Sequence, residues 1–432
     1  MDRVDEAKLA SVRAVFGRAT AIDLEVAPDD GRIVSIGAVQ IGDNAGLLIP
    51  KVRGGEDFKR LDAFAAASEV VIGHNIADFD LKHLGAAAPG LALLRKPVID
   101  TLWLNPLAFP SNPYHRLVKH YKTGQLESEA RNDPRADAGL SLRLLAEQIV
   151  ALRHHADRTL ALVTAWHHLV AGEDDRGAYD RLFRAIRRRE TPGLQEGLEA
   201  AARVLAGQAC PEGVAAAVET GELKGWKAAY ALAWISVAGG DSVTPPWVRM
   251  RFPEAGALIS KLRGQDCGSA ACPWCGPRNN PARLLQRWFG FDGFRPEPSD
   301  ETGRPLQEII VERALKGRST LGILPTGTGK SICYQIPALA AHEKTGSLTV
   351  VISPFVALMG DQIEGMRRAN IANAVAVNGL LSLPERHEAL ERIRLGDAAM
   401  VLMAPEQLRN ERVRSVIEQR EIAYWVLDEA HC

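Results

Sequence analysis

Cysteine is scarce in this chain, a large net charge is missing, and no apolar run is long. Six cysteines in 432 residues, three of them grouped at positions 267–275, are too few for a disulfide framework. No stretch approaches the ~18 consecutive apolar residues that a membrane helix needs. The N-terminus, MDRVDEAKLASVRAVF, is acidic and has no apolar core ahead of a small-residue cleavage site, which excludes a secretory signal. The net charge is −1, so no bulk positive field announces a polyanion, and any nucleic-acid surface must come from local Lys and Arg clusters. There is no internal repeat and no extended low-complexity tract. These absences read as a soluble, cytoplasmic protein without a membrane partner, nucleoid-associated if bacterial.

What is present is ample apolar material, 46% of residues, in a chain long enough for two to four domains at roughly 100–200 residues each. The expected class is α/β and multidomain. In 1–150, short β-branched runs such as TAIDLEVA, RIVSIGAVQIG and EVVIGHN alternate with helical spacing, as in ADAGLSLRLLAEQIVALRHHA. From 151 to 265 Ala, Leu and Arg with helical periodicity predict a helical connector, in which Arg187, Arg188 and Arg189 read as a solvated helix face or as phosphate contacts. Residues 266–283 form a compact Cys, Gly and Pro segment. In 284–432 the runs STLGILP, LTVVISP, AAMVLMAP and IAYWVLD predict buried strands of a parallel sheet with helical crossovers, and RPEPSDETGRP at 295–305 predicts an irregular loop.

Asp23 and Glu25 stand two apart on a predicted strand and so share one face, with Ile22, Leu24 and Val26 on the other. Neighbouring carboxylates repel unless cations lie between them, which makes the pair half of a divalent-metal site; an edge strand with two solvated acids fits equally well. With IGHNIADFDLKHL (72–84) and NDPRADAGLSLRLL (132–145), the chain resembles the DnaQ-like 3′-to-5′ exonucleases. That resemblance implies a ribonuclease-H-like fold and four catalytic, metal-binding acids, Asp23, Glu25, Asp80 and Asp137, with Asp78 as the alternative to Asp80 because one extra residue separates it from Asn75. Four acids suit two Mg²⁺ or Mn²⁺ ions and imply release of nucleoside monophosphates from a 3′ end. The family's usual general-base His is replaced by Asn132, which orients water but accepts no proton at neutral pH; His115 or His120 would have to substitute.

Cys267, Cys272 and Cys275 have a spacing that brings thiolates to one ion, and zinc or three reduced cysteines are the alternatives. A fourth ligand is not adjacent: Cys210 is the nearest other cysteine and Asp266 is a poor donor. A thioredoxin-like reading of CPWC lacks its strand and helix context, and an iron–sulfur cluster usually wants four cysteines.

PTGTGKS, following STLGIL, predicts a phosphate cradle: Thr326, Gly327, Thr328 and Gly329 supply backbone N–H groups, Lys330 a cation, and Ser331 a hydroxyl for Mg²⁺. AYWVLDEAH predicts a strand that brings Asp428 to that magnesium and Glu429 to the attacking water. Leu324 stands where the strict loop pattern has Gly. Together with FGFDGFR, VVISPFVALMGDQI, APEQL and VLDEAHC, these stretches resemble the first motor domain of the RecQ-family DNA helicases, superfamily 2, DEAH box. The resemblance covers about 284–432 and implies a RecA-like domain, ATP, Gln307 as the residue that reads adenine, and contact of the Ser353–Pro354 turn with single-stranded DNA. RecQ motors use two such domains, so the chain reads as a piece of a longer helicase, truncated, frame-shifted or engineered.

The expected function is therefore an ATP-dependent helicase piece joined to a 3′-5′ exonuclease acting on single-stranded DNA and 3′ ends, in repair or recombination, an order similar to the Werner-type helicases. The alternatives are a nuclease-inactive nucleic-acid-binding module with an inert nucleotide-binding domain, or an exoribonuclease, since nothing in the motifs reads a 2′-hydroxyl.

Overall fold

The computed structural model describes residues 3–41, 45–111, 133–173, 176–238, 244–325 and 327–430. His115, His120, Asn132 and Thr326 lie outside the described residues. The chain divides into two compact units, Met1–Pro110 with Tyr114–Val204 and Lys224–Ala229, and Ser111–Pro113 with Leu205–Leu223 and Tyr230–Cys432.

The first unit is built on five strands, β1 (Ala19–Val26), β2 (Ile33–Ile41), β3 (Gly46–Ile49), β4 (Val70–Gly73) and β5 (Val98–Asp100), in the order β3-β2-β1-β4-β5. The β1–β2 and β2–β3 pairs are antiparallel, and the β1–β4 and β4–β5 pairs are parallel. β1 thus has a neighbour on each side over Ala19–Ala21, while Asp23 and Glu25 lie beyond the β4 pairing, pair with β2 and are half-buried. Ile22 and Leu24 project from one face of β1 into a core with Ile36, Phe58, Leu61, Ile76 and Leu84. The opposite face of β1 begins with Ala19 and Ala21, both fully buried, and the long helix Pro134–Arg158 packs there. Asp133 starts that helix by accepting from the N–H groups of Arg135 and Ala136 at 2.9 and 3.3 Å, with Pro134 in the first turn.

The segment expected as a separate connector is helical but is shared between the units. Helix Ala178–Arg187 is fastened to the first sheet unit: the Asp100 N–H donates to the Tyr179 hydroxyl at 3.1 Å, and Arg181 donates to the Val15 carbonyl and pairs with Glu69 at 2.6 Å. Arg187 departs from the expectation of a solvated or phosphate-touching run, whereas Arg188 and Arg189 are exposed. It is 5% exposed and donates to His167 Nδ1, the Glu190 carbonyl and Glu196 at 2.8–3.1 Å. A guanidinium this deep persists because its terminal N–H groups find acceptors.

The second unit carries a parallel sheet of β6 (Leu348–Ile352), β7 (Ala374–Val377), β8 (Met400–Met403) and β9 (Ile422–Leu427), in the order β7-β8-β6-β9. β6 and β8 are buried throughout, as the near-continuous apolar runs predict. Two expectations are corrected. Residues 319–325 form no strand, and Leu321 and Ile323 are about 80% exposed (79% and 81%). β9 is an edge strand with Trp425 and Leu427 exposed. The reasons are one: no described strand hydrogen-bonds to the outer edge of β9, so apolar runs that a neighbouring strand would bury stay at the surface.

Helix Ile332–Thr345 follows the Gly-rich loop. Its His342 is buried, bonds the Ser347 carbonyl through Nδ1 at 3.3 Å, and is pushed down to about 4, first by burial and then by the charge of Arg420. The unfolded chain takes up this proton near 6.5, so the unfolded state binds more protons between the two values. Stability is present above 6.5 and lost as pH falls toward 4. At about 1.4 kcal/mol per unit this amounts to about 3 kcal/mol. Denaturant midpoints of the second unit between pH 4 and 7 should show that slope, and His342→Gln should flatten it.

Candidate functional site

Both units place acids at strand ends or on strand faces, and in each a neighbouring helix closes the site. In the first, one carboxylate oxygen from each of Asp23, Glu25 and Asp137 lies within 4.8 Å of the other two. Asp23 and Glu25 share a face of β1 because two residues make one strand period. Asp137 comes from the first turn of helix Pro134–Arg158 and is 9% exposed.

Gly37 makes that convergence feasible. It sits directly across from Asp23 in the β1–β2 ladder. A Cβ added there would lie 2.0 Å from the Pro134 carbonyl carbon and 2.1 Å from the Arg135 nitrogen. The start of the helix therefore rests backbone on backbone against β2, and its first turn delivers Asp137 to the two acids of β1.

Asp80 lies outside this group of three. It opens helix Asp80–Ala87, is 3% exposed, and accepts from the Leu24 N–H at 2.9 Å. Burial pushes its carboxyl well above the usual carboxylate range, and the charge of Asp23 adds to that. Asp78 faces elsewhere, with Lys82 at 3.0 Å.

Sequence reasoning missed Asp100. It is buried at the end of β5 and accepts from the N–H groups of Asn75, Ala77 and Leu102 at 2.9–3.1 Å, with burial raising its carboxyl to about 6. This carboxylate fixes the loop after β4, where Asn75 adopts a left-handed φ of 65°, the conformation Asn tolerates best after Gly. The signal was available as Asp-Thr at the end of an apolar run, a helix N-cap signature.

In the second unit Lys330 Nζ lies 3.4 Å from Glu429, and Ser331 starts helix Ile332–Thr345. Gly327 and Gly329 take φ of 82° and 79°, which their lack of a Cβ permits. Asp428 continues from β9, its N–H bonded to the Ile352 carbonyl at 2.9 Å. Gln362, in the quoted GDQI but not singled out from sequence, ties the halves together: its amide donates to Ser331 Oγ and to Asp428, each at 3.3 Å, and it accepts from the Tyr334 hydroxyl at 2.8 Å. Gln307 is 3% exposed and donates to the carbonyls of Thr328 and Gly329 at 2.7 and 3.0 Å, while Arg295 reaches the Gly327 carbonyl at 2.6 Å. Here Gln307 braces the phosphate loop itself. Ser353, at the end of β6, is fully buried.

Cys267, Cys272 and Cys275 come together, and Cys210 joins them. Position 210 is 57 residues from the trio, so only the fold could supply it.

Residues 304–432 match the DEAD/DEAH box helicase family. Similar proteins include ATP-dependent DNA helicases named RecQ. The chain is 37% identical over 157 residues to the ATP-dependent DNA helicase RecQ of Synechocystis sp., covering 36% of this chain and 30% of that protein. It is 37% identical over 149 residues to the ATP-dependent DNA helicase RecQ of Bacillus subtilis, covering 34% and 23%, and 37% identical over 130 residues to the human ATP-dependent DNA helicase Q4, covering 30% and 11%. Residues 304–432 thus resemble DEAD/DEAH box helicases, and the chain spans less than a third of the length of these relatives. No described helix is long and apolar enough to cross a membrane.

The Gly37 contact yields a direct expectation. Gly37→Ala must displace backbone and should lower the unfolding free energy of the first unit by about 1–3 kcal/mol or more, read from urea midpoints. Gly31→Ala, where a Cβ meets nothing within 4 Å but φ is +70°, should cost only the ~1–2 kcal/mol of a left-handed alanine.

Proposed function

We propose that this chain joins a metal-dependent 3′-5′ exonuclease to the ATP-binding part of a RecQ-type DNA helicase. The convergence of Asp23, Glu25 and Asp137 carries the nuclease half. The order β3-β2-β1-β4-β5, with two antiparallel and two parallel pairings, supports a ribonuclease-H-like fold, and the position of Asp80 against β1 supports its place as the fourth acid.

An all-oxygen donor set of three carboxylates is what Mg²⁺ or Mn²⁺ takes, and three like charges held this close favour a cation among them. A divalent ion bound there would supply the positive charge that a phosphodiester and an attacking water need. The protein's own contribution is placement: β1 fixes two acids, the Gly37 contact fixes the third, and Leu24 holds Asp80 beside Asp23. The substrate class this favours is a DNA 3′ end, single-stranded at the site.

The ATP half rests on the similarity over 304–432. Lys330 and the loop amides would hold the phosphates of Mg-ATP, with Ser331 and Asp428 on the magnesium side and Glu429 toward the water. Gln362 links both magnesium-side residues and so should matter as much as either. A role in repair or recombination follows from coupling strand opening to end trimming.

An end-labelled single-stranded DNA oligonucleotide with Mg²⁺ or Mn²⁺ tests the nuclease. The expected result is a 3′-to-5′ ladder, reduced at least about 100-fold in Asp23→Ala and in Asp137→Ala; binding without cleavage would favour a module that only holds the end, and cleavage of RNA alone would make it an exoribonuclease. For the second unit, Mg-ATP binding by calorimetry should weaken at least about tenfold in Lys330→Ala and in Gln362→Ala. Unchanged binding in both would sink the nucleotide assignment.

A further inference from the structure

We infer that Cys210, Cys267, Cys272 and Cys275 hold one zinc ion, and that this ion anchors the far end of the helix that follows the phosphate loop. Four of the chain's six cysteines meet here, every sulfur within 4.8 Å of the others. The Cys210 and Cys272 sulfurs are 3.8 Å apart. Four thiolates around zinc with bonds of ~2.3 Å stand ~3.8 Å apart along each edge of the tetrahedron. A four-iron cluster, with its metal atoms spread between the cysteines, would hold the sulfurs farther apart than this. Three of the four thiols are buried, Cys210, Cys272 and Cys275 at 2–8% exposure, so the site is shielded from water.

The backbone around the sulfurs is built for the arrangement. The Cys275 N–H points at the Cys272 sulfur at 3.4 Å, a bond that steadies a thiolate. A Cβ on Gly276 would lie 2.5 Å from the Ala270 carbonyl oxygen, so the turn closes only with glycine there. Cys210 precedes helix Pro211–Glu219, and its N–H bonds the Leu262 carbonyl at 2.9 Å. Each side of the cluster is therefore positioned by main chain.

The ion's mechanical consequence runs through Trp274, which lies between two of the liganding cysteines in the trio's sequence. Its ring is flanked by the guanidiniums of Arg263 at 4.4 Å and Arg278 at 3.6 Å, and its Nε1 donates to the Arg263 carbonyl at 3.0 Å. Arg263, 2% exposed, donates to the carbonyls of Glu343 and Lys344 at 2.9 and 2.7 Å and also to that of Gln208. Arg278 pairs with Glu343 at 3.2 Å, and Lys344 donates to Asn279 at 3.0 Å. Glu343 and Lys344 belong to the last turn of helix Ile332–Thr345, whose first turn follows Lys330 and Ser331. Last-turn carbonyls of a helix lack internal partners, and here a cation braced by the cysteine knuckle supplies them.

Metal analysis of the purified 432-residue chain tests this. The expected result is one zinc per chain without iron or acid-labile sulfide, and an affinity in competition with a chelator at least about tenfold weaker in Cys210→Ser. Cys333→Ser, a buried cysteine outside the cluster, should keep full zinc. Iron with sulfide, no zinc, or unchanged affinity in Cys210→Ser overturns the site. Should Cys210→Ser fail to fold, alkylation of the wild type decides: Cys210 is protected until zinc is removed, and modification with zinc still bound overturns its role. Hydrogen exchange reads the anchor: zinc removal should speed exchange of the last-turn amides of Ile332–Thr345 at least about tenfold, and unchanged rates overturn the link to that helix.

Discussion

Like charges are held together in this protein by backbone that leaves them no room to part. Asp23 and Glu25 cannot separate because they occupy alternate positions of a central strand whose other face is locked into the core by Ile22 and Leu24. Asp137 cannot withdraw because the start of its helix rests on Gly37. Repulsion among three carboxylates is offset by apolar burial on the far side of the sheet and along the helix. The unfavourable cluster is therefore stable as part of a favourable whole, the arrangement expected where binding or chemistry uses the charge. Asp80 follows the same constraint from the other direction: it is tied to Leu24 beside Asp23, and burial raises its carboxyl.

The second unit solves a comparable problem with polar bridges. Its Gly-rich loop is irregular backbone, and it is braced by Gln307 and Arg295 on one side and tied through Ser331 and Gln362 to Asp428 on the other. The helix leaving the loop is capped at its far end by Arg263, Arg278 and the cysteine knuckle. Loop and helix are thus fixed at both ends by side chains from distant parts of the sequence. Trp425 and Leu427 on β9 stay exposed among the described residues.

Much of this was legible in the sequence, and the failures have identifiable causes. β1, β2, β4, β6, β8 and β9 were evident as β-branched or apolar runs, while β3, β5 and β7 were not singled out from the sequence. STLGIL looked like a strand because composition records what a segment could bury and not whether a neighbour exists to bury it. Arg187 looked solvated because a run of arginines usually is; its acceptors, His167 and Glu196, come from other helices. The contact of the Gln307 amide with the loop carbonyls had no sequence signal. Cys210 and Gly37 had no local signal, since their importance arises from what lies opposite them.

The sequence by itself determined where the candidate groups stand: alternation put Asp23 and Glu25 on one face, glycines flank the loop before Lys330, and Cys267, Cys272 and Cys275 fall close together in the chain. Those are short-range facts, fixed by strand period, φ preference and side-chain type. Tertiary structure decided how the sets come together: it brings Asp137, expected from the resemblance, to the β1 acids, joins Ser331 to Asp428 through Gln362 and adds Cys210 to the cysteine group. The physical reason is that completion depends on distances between segments, and those are set by how helices pack on sheets.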